Sequence, residues 1–263
     1  MNDVHLASTI AAAGRDRKCA DGIMLETMTE GAAMPAVSAT QGRSAGKDPA
    51  ARRRAGRPSA AVLDKAGITV AALALISRKG YDGLTMAALA RSLDVAPSAL
   101  YNHVSSKDDV LLLVEDHLVE MVDVSGFGAG PWDAAVRRWA WSYREVFAQH
   151  TPLIPIIAVL PVANAPKTLA MYEAVTAGFG AAGFPAEKTI SAIVALEAFV
   201  FGAAYDVTAP ADIFDAGTLA AQTPNFTSAV DRLAAEQHPR PADVAFSLGL
   251  EALITGFDAL RNR

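Results

Sequence analysis

The chain has 263 residues, 52% of them apolar and 19% charged, with a formal net charge of −5. That length supports one large domain or two ordinary ones around a buried core, and the apolar content excludes a chain disordered throughout. The lone Cys19 excludes an internal disulfide, and no paired Cys/His spacing points to zinc, so neither metal nor cofactor is expected and the setting is a reducing cytoplasm.

Residues 1–57 are rich in Ala, Gly, Ser and Met and have no sustained apolar period, which predicts a disordered arm. Its start, MNDVHLASTIAAAG, lacks the cationic end and continuous apolar core of an export signal. Gly42-Arg43-Ser44-Ala45-Gly46 matches the G-x-S-x-G turn of serine hydrolases. That turn needs a strand before it and a helix after it, and the polar, Arg-rich flanks supply neither. Residues 43–107 hold eleven Lys/Arg against four Asp/Glu, whereas 108–263 hold nine against nineteen. A basic front on an acidic body suits binding to a polyanion, because cations gain by releasing counterions condensed on phosphates. Much of the excess lies in Arg52, Arg53, Arg54 and Arg57, and a solvated basic linker fits the charge equally well.

Regular elements begin after Arg57-Pro58. The spacing of Ile68, Ala72, Leu75 and Ile76 predicts a helix over 66–79 with one apolar face, ended by Gly80. Thr85 is the expected N-cap of a second helix, 86–93, in which Met86, Leu89, Ala90 and Leu93 share a face. A third helix starts near Ala96, with Pro97 in its first turn, runs to about His103 and buries Leu100 and Val104. Ser106-Lys107-Asp108-Asp109 has the Ser-x-x-Asp form of a capping box and opens a long helix to about Val122.

Two short helices joined by a three-residue turn and supported by a longer one in front form a helix-turn-helix arrangement. Its second short helix would enter the major groove and expose Pro97, Ser98, Ala99, Tyr101, Asn102 and His103. Small Ser98 and Ala99 allow close approach, Asn102 can pair with adenine, and Tyr101 and His103 can donate to phosphate or base edges. Thr85 and Lys107, at the starts of the neighbouring helices, complete the candidate DNA-binding set. By spacing alone these are equally well ordinary surface residues; the surrounding basic charge favours DNA.

The same stretch, GYDGLTMAALARSLDVAPSALYNHVSSKDDVL, resembles the N-terminal signature of the tetracycline-repressor (TetR) family of bacterial transcription regulators. The matching residues are Gly80, Leu84-Thr85, Leu89-Ala90, Leu93, Val95, Leu100-Tyr101, His103-Val104 and Lys107. Asp94 departs from the glycine that commonly makes the turn, although Asp tolerates left-handed backbone better than most residues. Ala87-Ala88 departs from the polar or basic pair that relatives often carry. The resemblance implies an all-α protein: a three-helix helix-turn-helix domain at 58–106, then a larger helical ligand-binding and dimerisation domain at 107–263. It also implies double-stranded operator DNA as partner and no catalytic residue.

The remainder looks similar, more loosely, to the ligand domain of the tetracycline-binding branch. A helix from Trp132 to Gln149-His150, the stretch AGFGAAGFPAEKTISAIVALEAFVFGAAYD and the closing AFSLGLEALITGFDAL carry that similarity. Where that branch has a metal-binding histidine this chain has Ile157, and Trp139 replaces a polar drug contact. Asp206 stands where an acidic metal partner would. The resemblance therefore implies neither magnesium nor tetracycline here. Trp139, Tyr143, Ile157, Met171, Phe199 and Ala203 recur at helical spacings in the helices that would surround a pocket, and Tyr143, His150 and Asp206 are its polar candidates. Core packing gives the same pattern. The expected ligand is a small hydrophobic or amphipathic molecule.

The two most apolar stretches do not read as membrane spans. Pro152, Pro155 and Pro161 break one, and Glu197 lies within the other. In the last helix Phe246, Leu250, Leu253, Phe257 and Leu260 form an apolar stripe beside a second stripe of Ala245, Gly249, Ala252, Gly256 and Ala259. Two stripes exceed the needs of one core, which predicts a twofold homodimer through this helix and the helix over 188–205.

The function expected is a ligand-controlled repressor released from a palindromic operator. The alternatives are an effector-independent regulator or activator, and an all-α enzyme. Against the enzyme stand the lack of HExxH, of clustered carboxylates and of a triad among His5, His103, His117, His150 and His238.

Overall fold

The computed structural model describes residues 63–236 and 240–261, all within the unit Gly56–Arg263. The arm expected at 1–57 with its four arginines, the Gly42–Gly46 pattern, Cys19 and His238 lie outside the described residues. Every regular element among the described residues is a helix.

Helix α1 (Lys65–Lys79) starts where Asp64 accepts the Gly67 N–H at 2.7 Å. It stops at Gly80, whose φ of 70° would strain a side-chain-bearing residue and whose N–H closes on Ile76 O at 2.7 Å. Ile68, Ala72, Leu75 and Ile76 are buried, as their spacing requires. Helix α2 (Met86–Ser92) is capped by Thr85, whose hydroxyl accepts the Ala88 N–H at 3.1 Å, and it buries Leu89 and Ala90 while Met86 and Leu93 are half-buried. Asp94 takes the left-handed turn at φ 54°, and the Val95 N–H then bonds back to Ala90 O at 3.0 Å.

Helix α3 (Pro97–Leu100) is a single turn, shorter than the expected run to His103. Hydrogen-bonded turns continue from Tyr101 to Val104, whose N–H reaches Leu100 O at 3.0 Å, and the chain becomes extended by Ser106 (φ −151°, ψ 173°) to cap the next helix. Helix α4 (Lys107–Val119) begins with the Asp109 N–H on Ser106 Oγ at 3.1 Å. The Asp109 carboxylate reaches back to the Ser105 N–H at 2.7 Å, one residue beyond the usual capping box. Tight turns over Leu118–Val122 end α4 before Val122, which is still buried. Helix α1 packs along α4, so Val110, Leu111 and Val114 are the floor of the three-helix unit as well as part of the larger bundle.

That bundle adds α5 (Trp132–Ala148), α6 (Ile154–Ile157), α7 (Pro166–Ala181), α8 (Ala186–Asp206), α9 (Pro224–Ala235) and α10 (Pro241–Arg261). Helix α5 packs on α8, α7 on α4 and α8, and α10 on α8 and α5. By length and composition α8 could cross a membrane, with a mean hydropathy of 1.4, but here it packs against α5, α7 and α10 and buries Thr189 and Glu197. The deepest line of α10 is Phe246, Leu250 and Ile254, with Leu253 and Phe257 half-buried. It follows the i+4 row, a ridge inclined to the helix axis, and so departs from the four-three stripe read in the sequence. Fully buried Arg144 ties α5 to α10 through Asp243 at 2.8 Å and lies over the rings of Trp141 and Phe246. Nothing in the sequence pattern had marked it.

Candidate DNA-reading face and ligand pocket

Leu89 and Leu100 anchor α2 and α3 from beneath, being fully buried, and this fixes which side chains of the turn-helix unit meet solvent. Pro97, Ser98, Tyr101 and Asn102 are exposed, Tyr101 to 54%, and Ala99 is half-buried. The exposure of Pro97, Ser98, Tyr101 and Asn102 agrees with the spacing, whereas Ala99 is partly covered. Thr85 is exposed too, although its hydroxyl is engaged as a cap. His103 is half-buried and lines a recess with Lys65, Asp109 and Asn164, of which Tyr101 and Asn102 are not part. Lys107 is turned inward: its ammonium donates to Tyr81 O at 3.3 Å and sits 3.6 Å from the centre of the Tyr81 ring. It therefore ties α4 to the segment between α1 and α2.

In the larger bundle Trp139, Tyr143, Ile157 and Met171 are buried, and the first two are in edge contact with ring centres 5.5 Å apart. The Trp139 indole N–H points at Met171 Sδ, 3.4 Å away. Phe199 and Ala203 belong elsewhere. Phe199 stacks flat on Phe246 of α10 with ring centres 5.3 Å apart, and the Ala203 carbonyl accepts from Arg144 Nε of α5 at 3.4 Å, so the first serves the seam of α8 with α10 and the second its seam with α5. Asp206 is exposed at the end of α8, and partial burial, with the charge of His117, holds His150 below its ordinary value.

Of the polar centre of this bundle, sequence reasoning named Tyr143 and missed Glu115, Tyr172 and Glu197. Glu197 of α8 is buried, and its Oε1 accepts the hydroxyls of Tyr172 (α7) at 2.8 Å and Tyr143 (α5) at 3.1 Å. Burial raises the Glu197 carboxyl above its ordinary value, against the lowering pull of the two hydroxyls. Burial and the neighbouring Glu197 likewise raise both tyrosines. Glu115 of α4 is only 4% exposed; burial first, then the charges of Asp116 and Glu197, push it up to about 7. The fold thus buries two carboxyls, from α4 and α8, whose charges interact, where the sequence displays none clustered. The available signals were Glu115 at the i+4 position from Leu111 on the buried face of α4, and Glu197 inside an otherwise apolar helix.

These features match known proteins over almost the whole described region. Residues 68–114 match the family described as bacterial regulatory proteins, tetR family, and residues 127–261 match the tetracyclin repressor-like C-terminal domain. An HTH-type transcriptional regulator of Saccharopolyspora erythraea is 32% identical over 141 residues, covering 54% of this chain; the match spans 59% of that relative's length. The structure of ActR from Streptomyces coelicolor in complex with actinorhodin is 28% identical, with a TM-score of 0.61, over 76% of this chain and 97% of that one. A TetR variant from Acinetobacter baumannii in complex with minocycline is 26% identical, with a TM-score of 0.62, over 76% and 96%. Family regulators are not enzymes, and this chain belongs to the TetR family of bacterial regulatory proteins.

Proposed function

We propose that the chain is a homodimeric transcriptional repressor, working in the cytoplasm, that binds a near-palindromic operator through α3 and is released by a small hydrophobic or amphipathic effector. The observation that carries this reading is the exposure of Pro97, Ser98, Tyr101 and Asn102 above fully buried Leu100, in a chain of this family. A recognition helix needs that division: apolar residues holding it down, and small and hydrogen-bonding residues facing the groove. The arginines at 52–54 and 57 would add contacts along the phosphate backbone or in the minor groove, an affinity that falls steeply with salt.

Support for an effector comes from the relatives bound to actinorhodin and to minocycline, and from the buried Trp139, Tyr143 and Met171 beside a polar centre. Helix α4 carries both the floor of the DNA-reading unit and Glu115, so a ligand that shifts α4 changes the placement of α3. Release then follows from the ligand's higher affinity for the conformation that does not fit DNA, and DNA must weaken the ligand by the same factor.

For the dimer, α8 exposes Ile190 and Val194, and α10 exposes Leu248 together with Ala245, Ala252, Gly256 and Ala259. An open groove lined by Val244, Ser247 and Leu248 runs along α10. Small residues beside isolated large ones let a second copy of the same two helices approach closely. A mobility-shift titration on the DNA flanking the chain's own gene tests the reading. A sequence-specific shift by a dimer is expected, and equal affinity for a scrambled duplex would overturn it.

A further inference from the structure

Helices α4, α5, α7 and α8 each send one polar side chain to the same buried region: Glu115, Tyr143, Tyr172 and Glu197. Each tyrosine has one hydroxyl proton, and both are given to Glu197 Oε1. Neither is left for Glu115, whose Oε2 is fully buried without a hydrogen-bond partner. The buried cation among the described residues, Arg144, pairs with Asp243 of α10 and donates to the Ala203 carbonyl of α8, and its charge is not among those that act on Glu115 or Glu197. Two acids therefore share an interior without a cation to offset them, and one keeps an unmet acceptor. That arrangement is costly as packing alone. It is the complement of a ligand that brings N–H donors and positive charge. Trp139 stands in edge contact with Tyr143, so aromatic rings that can attract a cation adjoin the cluster. Tyr172, alone of the four, is only half-buried and marks where the cluster meets the surface.

We propose that Glu115 and Glu197 form the polar end of the effector site and that the effector is an amphipathic cation, a protonated amine on an apolar skeleton. Its ammonium donates to Glu115 Oε2 and lies against Glu197, and its apolar part runs along Trp139 and Met171. This rests on the reading of the chain as a ligand-responsive regulator and narrows the ligand to a chemical class.

The test uses the full chain, without DNA, and two probes of nearly the same shape: 2-naphthylmethylamine, protonated at pH 7.5, and neutral 2-naphthylmethanol. Calorimetry and tryptophan emission should give the amine at least tenfold the affinity of the alcohol. Glu115→Gln should reduce that ratio to below about threefold, with the larger loss of affinity falling on the amine. Equal affinities in the wild type, or no binding of the amine at millimolar concentration, would overturn the proposal, and this comparison needs no variant. A preference surviving in both Glu115→Gln and Glu197→Gln would also overturn it. Amine binding that leaves operator affinity unchanged contradicts the regulatory reading alone. Operator release by neutral apolar compounds, with no preference for the amine, contradicts the cation site alone.

Discussion

Asp116 Oδ1 accepts the backbone N–H of Lys167 at 2.6 Å and also that of Thr168 at 2.9 Å, so α4 supplies the N-terminal cap that α7 lacks in its own Ala165. The residue before it, Glu115, faces the bundle interior, and α7 carries Met171 and Tyr172. One carboxylate thereby joins α7, which carries residues of the proposed pocket, to α4, which supports the proposed DNA-reading unit. Asp116→Ala should lower stability by about 1 to 2 kcal/mol, the worth of a good N-cap, and Asp116→Asn, which keeps an acceptor, should lose less. Denaturant midpoints check this; identical midpoints for wild type and Asp116→Ala would mean the cap contributes nothing.

The raised Glu115 carboxyl has a definite sign in stability. Its surroundings are acidic or neutral on every helix named here: Asp116 on α4, Tyr143 on α5, Tyr172 on α7 and Glu197 on α8. Because the folded chain binds this proton more tightly than the unfolded one, the stability linked to it is complete below 4.5 and is lost as pH rises through about 7. Glu115→Gln should remove that loss and gain on the order of 3 kcal/mol relative to wild type between pH 4.5 and pH 8. Denaturation curves at both pH values measure it, and a wild-type-minus-variant difference that does not change with pH contradicts it.

Two glycines that look equivalent in the sequence of α10 should behave oppositely. A Cβ on Gly249 would stand 2.6 Å from the Phe199 ring, which is pinned flat against Phe246, whereas one on Gly256 meets nothing within 4 Å. Gly249→Ala should destabilise by about 1 to 3 kcal/mol through overpacking. Gly256→Ala should keep or raise the stability of the fold, since alanine is the better helix former by about 1 kcal/mol. Thermal melts of the two variants, compared at one concentration, decide it.

On the proposed dimer face, Leu248 is 74% and Val194 55% exposed, and neither carries the core of its own chain. Leu248→Glu with Val194→Glu should yield a folded monomer, with the helical circular dichroism retained and the mass in sedimentation halved. A double variant that sediments as the wild type does would place the interface elsewhere.

The local signals were legible because their physics is local. Thr85, Ser106 and Gly80 act within four residues of themselves, and Asp94 adopts the left-handed turn that its residue type tolerates. The buried faces of α1 and α2 follow from period alone. The polar centre did not announce itself because it is assembled across the chain: Asp116 caps a helix 51 residues away, and Tyr143 meets Glu197 across 54. Period likewise placed Phe199 and Ala203 on α8 but could not say which neighbour each would face. In the fold Phe199 meets Phe246 of α10 and Ala203 meets Arg144 of α5.

The most direct test of the account is selection of duplexes from a random-sequence DNA library by the full-length protein, followed by titration of the enriched site with wild type and with Tyr101→Ala/Asn102→Ala. A near-palindromic site bound roughly a thousandfold or more above random DNA is expected, with the double variant losing about 1 to 3 kcal/mol per contacted base pair. No enriched sequence, or an enriched site that the double variant binds as tightly as the wild type does, would contradict the claim that this exposed face reads DNA.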